Sequence, residues 1–194
     1  MYKFDYLVFI GRFQPFHLAH MLTIEIALQQ SHHVVLALGS AQAERNIKNP
    51  FLAHEREAMI LSNFVDEDKQ RIHFVHVIDV YNDEKWVKQV KELVNQVIQP
   101  NSKVGLIGHF KDESSYYLKL FPEWSMVELE SLKASMSATP MREDYYRGEI
   151  KTQAFPKGTI QFLEQFQQTS TYKTLQQKFL TGDRSNLDIV DLDE

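Results

Sequence analysis

A chain of 194 residues, 43% of them hydrophobic, can fill the core of one domain with an appendage. Its net charge of −5 argues against a general nucleic-acid binder, which carries a basic balance. The absence of cysteine excludes disulfides and thiolate metal sites and fits a cytoplasmic setting, and no apolar run approaches the roughly 20 residues that cross a bilayer.

Met1 to Asp5 leads straight into a strand, with no signal or transit pattern. The run Leu7–Ile10 has strand length and composition, and Leu18, Met21, Leu22 and Ile26 then recur at helical spacing. Val34–Gly39 is a continuous apolar run of the kind buried on both faces of a parallel sheet. A polar stretch, Ser40 to Asn49, precedes a helix marked by Leu52, Met59, Ile60 and Phe64. Ile72–Ile78 predicts a third strand. Val87, Val90, Leu93, Val94 and Val97 form a helical stripe that must stop before Pro100. Val104–Gly108 predicts a fourth strand, Tyr117, Leu118 and Phe121 a helix running to Pro122, and Met126–Leu129 a short fifth strand. Ser137–Arg147 predicts a helix with Ser137 or Thr139 as cap and Pro140 in its first turn.

This alternation implies an α/β chain with a doubly wound, Rossmann-like parallel sheet of about five strands. The expected division is a domain over 1–150, a C-terminal helical extension over 151–182 carried by Phe162, Leu163, Phe166, Tyr172, Leu175 and Phe179, and an acidic tail over 183–194. In such sheets ligands bind beyond the carboxyl ends of the strands. The chemistry-bearing residues mostly follow those ends, from Gly11, Gly39, Asp79 and Gly108 onward. No Gly-x-Gly-x-x-Gly fingerprint is present, which weakens a dehydrogenase reading.

The densest stretch is Ile10-Gly11-Arg12-Phe13-Gln14-Pro15-Phe16-His17-Leu18-Ala19-His20, a strand-to-helix turn with one arginine, two histidines and no acid. The first N–H groups of a helix lack internal partners and face the positive end of its dipole, so a phosphate is stabilised there. His17 and His20, three apart, share a helix face, and with Arg12 they suit a polyphosphate; no general base is evident. Ser137-Ala138-Thr139-Pro140-Met141-Arg142 offers hydroxyls, free N–H groups and a guanidinium able to bridge phosphate oxygens at a second helix start. Other segments have a plain reading beside a functional one. Gly39–Gln42 is a βα loop, Glu55-Arg56 a solvated helix pair, and Asn82 or Asp83 a helix cap. Trp86 either extends the apolar stripe or stacks on a flat ring.

The first string resembles the His-x-Gly-His signature of the nucleotidylyltransferase superfamily. Its longer Gly-Arg-Phe-Gln-Pro-Phe-His form is similar to nicotinamide-mononucleotide adenylyltransferases of the archaeal type. Ala19 stands where glycine is usual, which bears on nucleotide affinity or selectivity. Ser137–Arg142 resembles the superfamily's Ser-x-Thr-x-x-Arg motif. Gly39–Gln42, Asn49-Pro50-Phe51 and Glu55-Arg56 resemble the nucleotide-contacting region of the archaeal-type enzymes, with His54 where their Gly-Glu-Arg has glycine. Gly108–Tyr117 resembles the Gly-x-x-Lys-Asp-x-Ser-Ser stretch of bifunctional adenylyltransferase–Nudix proteins. The resemblance covers roughly residues 4–150, and Phe162–Leu175 looks like the connector before a Nudix domain. No Nudix box occurs in this sequence, so no ADP-ribose hydrolysis is expected.

The resemblance implies attack of the 5′-phosphate of nicotinamide mononucleotide on the α-phosphorus of ATP, giving NAD and pyrophosphate. It implies catalytic roles for His17, His20, Arg12 and Arg142, and contacts to ATP from Gly11, Phe13, Gly108, Lys111, Ser137 and Thr139. It places Ser40, Gln42, Asn49, Asp79, Asn82 and Trp86 at the mononucleotide. Mg²⁺ would arrive with ATP, without a dedicated protein metal site. Family members are often homo-oligomers, which extends that expectation here. Nicotinic acid mononucleotide or another phosphate acceptor is the alternative substrate, and a non-catalytic NAD or ATP sensor the alternative class.

Overall fold

The computed structural model describes residues 1–110, 113–129 and 137–182, with side chains at 113 and 114 left aside. Five strands form one sheet in the order β3-β2-β1-β4-β5: β1 (Phe4–Gly11), β2 (Ser31–Leu38), β3 (Ile72–His76), β4 (Val104–His109) and β5 (Ser125–Leu129). Every neighbouring pair is parallel, as the uninterrupted apolar runs predict. Leu7, Val8, Val34, Val35, Leu36, Ala37 and Leu38 are completely buried.

Alternate residues of each strand feed two cores. Leu7, Phe9, Leu36, Leu38 and Ile107 pack with α1 (Leu18–Gln30), α2 (Ala53–Leu61), α5 (Ala138–Tyr146), α6 (Lys157–Gln167) and α7 (Ser170–Leu180). Tyr6, Val8, Ile10, Val35, Ala37 and Leu106 pack with α4 (Asp83–Val97) and a 3-10 helix over Glu113–Leu120. A short α3 (Asp66–Lys69) links α2 to β3. The connections change sides between β1 and β4, so a switch point opens above their carboxyl ends.

Three local features differ from the expected elements. The third strand stops at His76: Val77 N still donates to Leu38 O at 2.9 Å, but Val77 O takes the N–H of Ala41 in the turning loop after β2, and Gln89 Oε1 of α4 takes the Ile78 N–H at 2.8 Å on the sheet's open edge. The segment before Pro122 is 3-10 rather than α-helical. Its buried residues Ser115 and Leu118, followed by Phe121, recur every third position, which matches a period of three. The four-residue α3 is too short and too acidic to leave an apolar period. The acidic tail 183–194 lies outside the described residues.

The extension over 151–182 packs into the same core. Leu163, Phe166, Tyr172 and Leu175 belong to the cluster that holds Phe51 and Tyr145. Asn63, in the turn after α2, caps α6, its Oδ1 accepting the N–H groups of Gly158 at 2.7 Å and Thr159 at 3.2 Å.

At the opposite end of the sheet from the switch point, His33 Nδ1 and His73 Nε2 lie 3.0 Å apart, and the Tyr6 ring stacks on His33 at 5.0 Å. Burial is the main cause that lowers both histidine pKa values, with His32 and Arg71 adding to it at His33 and His33 itself at His73. A lowered histidine value means that the unfolded chain takes up protons first as pH falls. Stability is therefore complete above the unfolded value of about 6.5 and is expected to decline below it. His73→Gln should flatten that decline. Thermal melts on either side of about pH 6.5 check this, and an unaltered slope would count against it.

Candidate active site

A cavity of about 280 Å³ opens at the switch point. Its wall includes Gly11, Arg12, Phe13, His17 and His20 from the first turn, Ser40 and Asn49 from the loop after β2, Asp79 and Trp86 from beyond β3, and Gly108 from β4. Four chain segments far apart in sequence thus converge on one space, as their positions after strand ends predict.

The first turn is shaped by its own side chains. A Cβ on Gly11 would lie 2.9 Å from Phe13 Cζ, so only glycine lets that ring fold back over the strand end. Phe13 adopts a left-handed φ of 56°, and Ser40, in the neighbouring loop, one of 48°. Such conformations cost about 1–3 kcal/mol each and persist only where surrounding contacts enforce them. Gln14 supplies one enforcing contact. It is 1% exposed, its Nε2 donates to Phe51 O at 2.8 Å, and its Oε1 accepts from Phe51 N at 3.0 Å.

His17 is the N-cap of α1, and its ring stacks on His20 with centroids 3.6 Å apart and planes 16° from parallel. His20 Nδ1 accepts the backbone N–H of His17 at 3.2 Å, which puts the proton of a neutral His20 ring on Nε2. Phe16 stacks near the same ring at 5.7 Å and Phe13 meets it edge-on at 4.8 Å. The imidazole is therefore held in one orientation by aromatic packing.

The second motif stands behind the first. Ser137 is the N-cap of α5, its Oγ facing Thr139 N at 3.4 Å. Arg142 is 5% exposed; its Nη1 donates to Gln14 O at 2.8 Å and its Nη2 to Thr139 Oγ1 at 3.3 Å. Ala138 lines the cavity, whereas Ser137, Thr139 and Arg142 are not on its wall, and Arg142 reaches the first turn through Gln14 O.

The far end of the cavity is aromatic and acidic. Trp86 meets Tyr117 at 5.9 Å and Phe121 at 5.8 Å, both edge-to-face, so it serves the apolar stripe and the cavity wall together. Asp79 accepts from Ser40 Oγ at 3.0 Å and Gln42 Nε2 at 2.8 Å, while its N–H donates to Gln42 Oε1 at 3.0 Å. Gln42 thus braces Asp79 and is not on the wall. Asn82 also lies off the wall and caps α4 by accepting Lys85 N at 2.9 Å. Tyr116 Oη donates to Asp83 Oδ1 at 2.9 Å, joining the 3-10 helix to α4 beside the opening. Lys111 lies outside the described residues.

Sequence reasoning passed over Lys48 and His109, which line the cavity beside the recognised Asn49 and Gly108. His109 Nε2 lies 3.1 Å from Thr23 Oγ1. It also passed over Gln14, whose role depends on a partner 37 residues away. Arg56 is not a solvated residue: it is 1% exposed and donates to carbonyls of the first turn and the Gly39-Ser40 loop. Burial is the main cause that depresses its pKa to about 10, and the neighbouring Arg12 lowers it further against the opposing pull of Asp79 and Glu57.

A cleft whose imidazoles and guanidinium gather at a helix start has the charge to neutralise a polyphosphate, and the comparisons set the molecule, with its Rossmann-like sheet, among the nucleotidyltransferases. The family comparison agrees: the chain belongs to the cytidylyltransferase-like family, whose model matches residues 8–143. It is 74% identical over 187 residues to a nicotinamide/nicotinic acid mononucleotide adenylyltransferase of Acinetobacter baylyi, covering 96% of this chain and 100% of that protein. It is 27% identical to a nicotinamide-nucleotide adenylyltransferase of Pyrococcus abyssi, over 87% of each chain. Among solved structures it resembles a bifunctional NMN adenylyltransferase/ADP ribose pyrophosphatase of Francisella tularensis, crystallised with AMP and a manganese ion. The TM-score is 0.84 and the identity 34%, over 92% of this chain and 53% of the other. The chain therefore spans about half the length of that bifunctional protein.

Proposed function

We infer that this enzyme joins the adenylyl group of ATP to a pyridine mononucleotide, with nicotinamide mononucleotide as acceptor and NAD and pyrophosphate as products. The observation that carries the reading is the stacked His17–His20 pair in the same cavity as Asp79 and Trp86, a phosphate end and a flat-ring end in one space. The 5′-phosphate oxygen of the mononucleotide forms a bond to the α-phosphorus as the bond to the bridging oxygen of pyrophosphate breaks. The attacking oxygen is already anionic, so the residues position and neutralise. His17 and His20 take ATP phosphate oxygens, with His20 at the reacting centre, and Arg12 and Arg142 offset β- and γ-phosphate charge. Gly11, Phe13, Gly108, Ser137 and Thr139 form the ATP side, with Lys111 as a further cation.

Ser40, Asn49, Asp79 and Trp86 form the mononucleotide side, with Gln42 and Asn82 supporting them. Asn49 is 6% exposed and lines the cavity, and its Oδ1 has no hydrogen-bond partner among the described residues. A buried acceptor favours a ligand that brings N–H or O–H, as a carboxamide or a ribose does. The acid mononucleotide is the second reading, favoured by the double activity in the name of the Acinetobacter relative.

Mg²⁺ fits as an ion carried on the triphosphate. Among the described residues no group of three or more metal-ligating side chains gathers, and the acids on the cavity wall are Asp79 and Asp83. A bound divalent ion would supply charge neutralisation between the phosphates while keeping most of its waters. Among the described residues no helix is long and apolar enough to cross a membrane, and a cytoplasmic, self-associating enzyme is the setting we propose.

The test is a coupled assay with ATP, Mg²⁺ and either mononucleotide, reading NAD by alcohol dehydrogenase and its acid form by mass. Turnover with the amide is expected. Tight NAD binding without turnover of either substrate would replace the enzyme with a sensor.

A further inference from the structure

We propose that Arg56 is a positioning residue for this reaction, fixing from beneath the two left-handed turns on which the phosphate and mononucleotide ends of the site are built. This rests on the function inferred above.

Arg56 sits on α2, outside the cavity wall, and is 1% exposed. Its Nη1 donates to Arg12 O at 2.7 Å and to Gly39 O at 2.8 Å, and its Nη2 makes a longer contact to Ser40 O at 3.5 Å. The left-handed residues of these two turns are Phe13 and Ser40. The first two carbonyls therefore belong to the peptides immediately before the two strained positions. One nitrogen thus holds both turns in register, where Gly39 N also donates to Gly11 O at 2.9 Å.

The placement has two consequences. With the Arg12 and Gly39 carbonyls drawn down onto the guanidinium, the turns that present Phe13, Ser40 and the following residues to the cavity are set before any ligand enters. Arg56 also stands close enough to Arg12 for their charges to repel, so a second cation lies under the phosphate end without touching the ligand. A planar fork with fixed N–H directions can hold both carbonyls; the ammonium of lysine, on a shorter stem, keeps the charge but not this geometry.

Arg56→Lys and Arg56→Met separate the possibilities, assayed beside wild type with ATP and nicotinamide mononucleotide well below each protein's Tm. If positioning is the role, kcat per folded molecule falls on the order of 100-fold in both variants while each KM changes by less than about tenfold. Backbone amide exchange at Gly39 and Ala41 quickens in the lysine variant, while the middle of α2 does not change. An unchanged kcat with a lowered Tm would overturn the proposal in favour of a purely structural residue. A raised KM for ATP at unchanged kcat would overturn it in favour of a charge acting on binding alone. Should the methionine variant fail to fold, the lysine variant decides by the same readings. Loss of turnover in wild type as well would instead remove the functional reading on which the proposal stands.

Discussion

Alanine at His20 is expected to lower kcat by about 100- to 1000-fold, the usual cost of removing one donor aimed at developing charge. The structure makes this substitution informative because the ring's geometry is over-determined. Its Nδ1 is occupied by the His17 N–H, and Phe13, Phe16 and His17 pack around it. The ring is thereby held in one orientation, and its Nε2–H is the edge proposed to meet a phosphate oxygen. His20→Asn keeps a polar donor but loses the stacked ring, and should recover little of the rate. The measurement is steady-state turnover with nicotinamide mononucleotide, together with a thermal melt to confirm folding. A folded alanine variant with wild-type kcat would remove His20 from the reacting centre.

The second large effect is expected at Arg142, where rate and stability should fall together. Arg142→Lys retains a charge but cannot serve Gln14 O and Thr139 Oγ1 from one plane. Gln14 is itself 1% exposed, so its carbonyl loses a partner that water cannot replace. A buried acceptor left unmatched costs about 1–3 kcal/mol, and the first turn that it anchors would loosen. We expect kcat/KM to drop by about 100-fold and urea unfolding to shift by a cost of that size. A stability loss without a rate loss would make Arg142 a brace between the two motifs and nothing more.

These expectations show how much the sequence discloses. The parallel, doubly wound sheet follows from apolar runs alternating with helical stripes, since strands covered on both faces need no polar alternation. The order β3-β2-β1-β4-β5 does not follow, because pairing partners leave no local mark. The first turn is legible because glycine, arginine and two histidines are crowded into one strand-to-helix turn. Gln42 and Asn82 were placed at the ligand by resemblance. In the structure Gln42 hydrogen-bonds Asp79 and Asn82 caps α4. Arg56 is the most instructive miss. A charged residue on a helix normally faces water, and its burial depends on carbonyls at positions 12 and 39 that only the assembled sheet brings together. Gln14 stayed hidden for the same reason, since its clamp on Phe51 closes a loop of 37 residues.

Tyrosine hydroxyls tie α5 to the C-terminal helices and to the loop after β2. Tyr172 Oη donates to Tyr145 O at 2.6 Å, Tyr145 Oη to Leu163 O at 2.7 Å, and Tyr146 Oη to Ile47 O at 2.6 Å, beside Lys48 and Asn49. Gln176 adds a bond to Tyr146 O at 2.9 Å. The helix that carries Arg142 is therefore clasped by α6 and α7 on its outer side and by the cleft on its inner side. Heritable variation in α7 is therefore expected to surface as altered substrate affinity, and a screen for binding mutants to recover changes on a helix that contributes nothing to the cavity wall. Reciprocity requires the converse as well: whatever fills the cleft steadies the C-terminal helices by the free energy that couples the two.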